Sequence, residues 1–117
     1  MTYKGFEDLE VWRRSKELTI QMFKHLKGSK EYALKDQMIR ASISIASNIA
    51  EGFERNSTKD FLRFLHISKG SAGELKTQLL TASKSGVINE AAAHKLYAET
   101  KQISSMLQGL INSLSKP

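Results

Sequence analysis

Leu96-Tyr97-Ala98-Glu99-Thr100-Lys101-Gln102-Ile103-Ser104-Ser105-Met106-Leu107-Gln108-Gly109-Leu110-Ile111-Asn112-Ser113-Leu114 is the stretch on which the fold turns. Leu96, Thr100, Ile103, Leu107, Leu110 and Leu114 step by four and three in alternation. That period draws a narrow apolar seam along one side of a helix, as in coiled coils. The segment before it repeats the pattern, with Phe61, Leu65, Ala72, Leu75 and Leu79 on one face. Ser85-Gly86 separates the two, and Asn89 is placed to cap the second.

Two further breaks divide the rest of the chain. Asn56-Ser57-Thr58 is a polar interruption in which Ser57 and Asp60 have capping-box spacing, with Asp in place of the usual Glu. Gly28-Ser29 follows a helical run, where glycine closes a helix in the left-handed conformation. Helices are therefore expected over roughly 7–27, 31–55, 58–85 and 89–115. Links this short make consecutive helices antiparallel neighbours. The expected architecture is all-α: one domain over 1–117, an up-down four-helix bundle.

Composition agrees with that reading. The 117 residues suit one domain, and the one proline, Pro117, leaves the interior free for long helices. Absence of cysteine excludes disulfides and thiolate metal sites. No apolar run reaches bilayer length, and Met1-Thr2-Tyr3-Lys4-Gly5 lacks a signal-peptide core, so a cytoplasmic protein with no membrane partner is expected.

The second segment departs from simple amphipathicity. Leu34, Met38, Ala41, Ile45 and Ile49 form one stripe; Ile39, Ile43, Ala46, Ala50 and Phe53 form another, more than a quarter turn away. A helix apolar around most of its girth must be covered on most sides. Either another subunit covers it, with Ala41, Ser42, Ser44, Ala46, Ser47 and Ala50 permitting close approach, or this helix sits at the centre of a lopsided bundle. Self-association is the favoured alternative.

Chemistry-bearing constellations are sparse. The sequence has no cysteine nucleophile, Gly-rich phosphate loop or His-Glu-x-x-His. His25, His66 and His94 fall on three different helices without metal-ligand spacing. Glu51 with Glu54, and Glu31 with Asp36, are carboxylates at helical spacing that nothing distinguishes as acid and base. Gly70-Ser71-Ala72-Gly73 lies inside the period of the third helix, so close helix packing is expected of it rather than a nucleotide cradle. No catalytic residue, cofactor or metal is implied, and the protein is read as a non-enzyme.

Charge is more informative. The formal net charge is +6, and residues 57–86 hold five Lys and Arg against two acids. At 100° per residue, Lys59, Arg63, His66 and Lys84 lie opposite the Phe61/Leu75/Leu79 face, with Lys69 and Lys76 to one side. Arg13, Lys16, Lys24 and Lys27 share a sector of the first helix. Such stripes can track phosphates with salt-sensitive, sequence-blind affinity. Taken alone, each is equally a solvated lysine-rich face. Phe53, Phe61, Phe64 and Trp12 fall on or near core positions, so no aromatic platform for base stacking is expected.

Several motifs are recognisable together. They are Phe6-Glu7-Asp8-Leu9-Glu10-Val11-Trp12, Glu31-Tyr32-Ala33-Leu34, Gln37-Met38-Ile39-Arg40-Ala41 and Ser44-Ile45-Ala46-Ser47-Asn48-Ile49-Ala50-Glu51-Gly52. Phe61-Leu62-Arg63-Phe64-Leu65, Gly70-Ser71-Ala72-Gly73-Glu74-Leu75 and Met106-Leu107-Gln108-Gly109-Leu110-Ile111 follow in order. The whole set resembles the bacterial four-helix-bundle family known from proteins encoded by intervening sequences of 23S ribosomal RNA genes. Many members carry proline where this chain has Ala46, which leaves its second helix straighter. The resemblance implies an antiparallel bundle assembled as a ring-like homopentamer. It also implies kinship with the accessory protein of diversity-generating retroelements, a basic pentamer that binds nucleic acid and works with a reverse transcriptase. For the intervening-sequence members, function is largely unassigned.

Two expectations follow. One is a homo-oligomer that binds nucleic acid, RNA before DNA, through Lys59, Arg63, Lys69 and Lys76 with Arg13, Lys16, Lys24 and Lys27. The other is a scaffold that docks a partner protein such as a reverse transcriptase, its charge serving solubility or steering.

Overall fold

The computed structural model describes residues 3–117, which are helical throughout apart from the links. A 3-10 turn at Phe6–Asp8 precedes α1 (Glu10–Leu26), α2 (Tyr32–Glu54), α3 (Thr58–Ser85) and α4 (Glu90–Leu114).

The helix ends are chemically defined. The Ser57 hydroxyl accepts from the Asp60 N–H at 3.3 Å and caps α3. The Asn89 side chain accepts from the Ala92 N–H at 3.1 Å and caps α4. Gly28 and Gly86 take φ of 83° and 78°, the left-handed turn that a side chain disfavours.

The first helix starts at Glu10, later than the expected start near residue 7. Leu9 is extended, with φ −80° and ψ 121°, and its buried side chain anchors the entry to α1. Asp8 holds the preceding turn by accepting from the Lys4 N–H at 2.9 Å.

Each helix packs on its sequence neighbour and α1 also packs on α4, whereas the backbones of α1 and α3, and of α2 and α4, stay apart. The result is a square up-down bundle, 46 × 20 × 20 Å, with α1 diagonally across from α3. Leu18, Met22, Met38, Ile45, Ile49, Leu65, Leu75, Leu79, Ile103 and Leu107 fill its axis.

The polar residues of the core are small hydroxyls that bond to main chain or to each other. Ser68 donates to the Ile45 carbonyl and Thr100 to the Leu96 carbonyl, both at 2.7 Å, and the Ser44 and Ser71 hydroxyls meet at 2.8 Å. Satisfied in this way, they cost the core little while bringing α2 and α3 close.

Two packing expectations are resolved. Helix α2 is not engulfed by its own bundle: Ile43 is 42% exposed, and Ile39, Ala46, Ala50 and Phe53 are half-buried. The second apolar stripe is thus only partly covered within the subunit. Gly70 and Gly73 are not close-packing glycines, because a Cβ at either would meet nothing within 4 Å. Close approach occurs at Gly52 instead, where an added Cβ would lie 2.6 Å from the Phe64 Cβ.

Candidate nucleic-acid interface

The outward face of α3 is chemically uniform. On the helical wheel, the sector opposite its buried stripe holds Lys59, Arg63, His66, Gly70, Gly73, Thr77, Thr81 and Lys84. All are exposed except half-buried Gly73, and no acid or large apolar residue interrupts them. Exposed Leu80 lies at the edge toward α4, and Asp60, Glu74 and exposed Ile67 border the face toward α2. From Lys59 to Lys84 the face runs roughly 37 Å.

Lys69 and Lys76 sit beside this face, at the seam with α4. Lys69 is half-buried and donates to Gln108 Oε1 at 2.6 Å. Seven residues up α3 and seven down α4, the same antiparallel register sets Lys76 level with Lys101. Lys76 is half-buried beside the seam. Lys59, Arg63, Lys69 and Lys76 therefore gather on one side of the bundle, and Lys101 joins them.

Lys101 was not evident from the sequence, since its own helix carries no cationic stripe. Arg55, at the end of α2, was also missed. Its guanidinium carbon lies 5.0 Å from the centre of the Phe64 ring, and that of Arg63 lies 4.6 Å from the same ring. Only knowledge of the α2–α3 crossing, set by Gly52, would have placed Arg55 beside α3.

The α1 set is elsewhere. Arg13, Lys16, Lys24 and Lys27 are all exposed, but α1 is diagonal to α3 and their sector points to the opposite corner. One flat ligand surface meets one set or the other on a single subunit. Arg13 also donates to the Glu7 carbonyl at 2.8 Å, and the Lys16 ammonium lies 5.4 Å from the Trp12 ring centre. Trp12 itself is half-buried against Phe6, with ring centres 4.9 Å apart.

Exposed apolar side chains are interleaved with those α1 cations. Ile20 is 39% and Phe23 53% exposed, and Tyr32 and Ile43 are exposed on the neighbouring α2. Phe23, Leu26 and Ile39 line a shallow cavity of about 360 Å³, rimmed by Lys24, Lys27 and Lys35. This corner is apolar and basic, unlike the outward face of α3.

A second groove runs between α1 and α4. Its polar groups are Glu17, Gln21, His25, Lys95 and Glu99. Arg14 closes one side by donating to Glu99 at 3.0 and 2.6 Å, and that hydrogen bond raises the arginine pKa above its ordinary value despite partial desolvation. His25, His66 and His94 are exposed on α1, α3 and α4, and among the described residues no three His, Asp or Glu side chains converge as metal ligands. Among the same residues, no helix is long and apolar enough to cross a membrane.

Comparison with known proteins agrees with the architecture. A crystal structure of a protein of unknown function from the S23 ribosomal protein family of Bacteroides thetaiotaomicron VPI-5482 superposes with a TM-score of 0.81. The two chains are 25% identical, over 86% of this chain and 97% of the other. No functionally curated protein matches the chain significantly. The family model of the 23S rRNA-intervening sequence protein matches residues 7–109, nearly the whole bundle. The chain belongs to the 23S rRNA-intervening sequence protein family.

Proposed function

We propose that this protein is a non-catalytic, self-assembling bundle that binds nucleic acid through the outward face of α3 and its seam with α4. The observation that carries the reading is the composition of that face: cations, hydroxyls and glycines over its full length. Phosphate oxygens are met by those groups, and an acid or a bulky apolar residue there would oppose them. RNA is the first candidate, because the family takes its name from a ribosomal RNA gene setting.

Self-assembly is supported by the apolar corner of α1 and α2. Ile20 and Phe23 on α1 and Tyr32 and Ile43 on α2 are all exposed, a number of large apolar side chains that favours an association surface on a chain this small. The family resemblance suggests a ring-like homopentamer. A ring repeats a weak phosphate-binding face once per subunit, and modest single-site affinity becomes avidity.

A second reading has an observation of its own. The cavity at Phe23, Leu26 and Ile39 with its three lysines suits a partner protein carrying acidic and apolar side chains. In that reading the bundle is a scaffold and α3 serves solubility. A gel shift with RNA and DNA at moderate salt separates the two. Retarded bands at micromolar protein are expected; no retardation with either nucleic acid would leave the scaffold.

A further inference from the structure

We infer that Arg55 and Arg63, braced together on the Phe64 ring, form a phosphodiester clamp that anchors the nucleic-acid backbone at the α2–α3 end of the bundle. This rests on the nucleic-acid reading of α3 and adds to it a specific contact.

The geometry begins at Gly52. Its missing side chain lets α2 and α3 approach, so that Phe64, only 8% exposed, is seated between them. The phenyl ring then presents its surface to two guanidiniums from different helices, at 5.0 and 4.6 Å. Cation–π attraction holds each in place. The same contacts keep the two charges within about 10 Å of each other, one Debye length at 0.1 M salt. Each guanidinium has one acid beside it, Glu51 for Arg55 and Asp60 for Arg63, so an anion would be met by the donors those acids leave free.

Their donors remain available. Arg55 donates its Nε–H to Glu51 at 3.2 Å in an ion pair, and its Nη groups are not part of that bond. Arg63 lies 4.0 Å from Asp60, beyond hydrogen-bond reach. The two side chains are 46% and 58% exposed. Lys59, one turn from Arg63, extends the cluster along α3. A planar fork of donors suits a phosphate better than a lone ammonium does. Phe64 is a positioning residue in this scheme, since it touches the arginines and not the ligand.

The test is fluorescence anisotropy of the full chain with a labelled RNA hairpin across a range of salt. Arg55→Gln and Arg63→Gln are each expected to weaken binding several-fold and to reduce the salt slope by about 1. Phe64→Leu is expected to weaken binding comparably, because the charges remain but their arrangement is lost. Phe64→Tyr should retain wild-type affinity. Thermal melts of each variant separate these effects from unfolding, and Arg55→Gln, at an exposed site, stands if Phe64→Leu does not fold. If the wild type binds and Arg55→Gln binds identically with the same slope, the clamp is overturned and the α3 reading survives. A loss in Arg55→Gln without one in Phe64→Leu overturns the bracing role. If the wild type binds neither RNA nor DNA, both fall.

Discussion

Gly52 and Gly70 both lie inside long helices, yet substitution should affect them in opposite directions. Gly52→Ala forces a Cβ to within 2.6 Å of the Phe64 Cβ, and neither backbone can yield freely. Overpacking of this kind costs about 1–3 kcal/mol, read as a lower denaturant midpoint in chemical unfolding. Gly70→Ala meets open space and removes helix-interior glycine entropy, so it should stabilise by up to about 1 kcal/mol in the same experiment. The sequence does not separate the two. Gly70-Ser71-Ala72-Gly73 carries the small-residue signature of close packing, and there the buried pair is Ser71 and Ala72 while the glycines face out. Arg55 was illegible for the same reason: its partner ring is on another helix, and only the crossing at Gly52 brings them together. Hydroxyls, cations and exposed faces are written in the chain, but which residues of different helices meet depends on a three-dimensional register.

At the scale of the element, stops and caps were the most legible features. Ser57, Asn89, Gly28 and Gly86 act locally, within one turn of their own position, and local chemistry is readable from a single sequence. Ser57→Ala should cost about 1 kcal/mol by leaving the first-turn N–H groups of a 28-residue helix without their cap, a loss visible as a lower melting temperature. The start of α1 was less legible. The helix was expected from about residue 7, but the chain turns in a 3-10 loop and enters α1 through extended Leu9. Apolar spacing alone does not distinguish a helical turn from a loop that buries the same side chains. The cationic face of α3 was fully legible, because one helix supplies it. The seam residue Lys101 was not, because it acquires significance only from the register with Lys69 and Lys76.

On the scale of the whole molecule, the decisive fact is that α1 and α3 are diagonal. Two cationic stripes that look equivalent in sequence face opposite corners, and their surroundings differ. The α3 face is cations, hydroxyls and glycine; the α1 corner alternates lysine with exposed Ile20 and Phe23. This divides the labour in the proposal: α3 with the α4 seam for phosphate, and the α1–α2 corner for association. The second apolar stripe of α2 anticipated that corner, since it had more apolar girth than one bundle can cover. Light scattering on a sizing column should give a mass several times that of the chain, and Ile20→Asp with Phe23→Asp should give a helical monomer. A wild-type monomer would remove the association surface from the account.

Reversing charge on the α3 face separates phosphate binding from the stability of the bundle. Arg63→Glu combined with Lys76→Glu alters one half-buried and one exposed cation, neither of them part of the apolar core. RNA affinity measured by anisotropy over a salt series should fall by at least tenfold, and the dependence of log K on log salt should flatten, because phosphate contacts and the counterions they release are lost together. Binding of unaltered strength and unaltered salt slope in that double variant would contradict the assignment of this face.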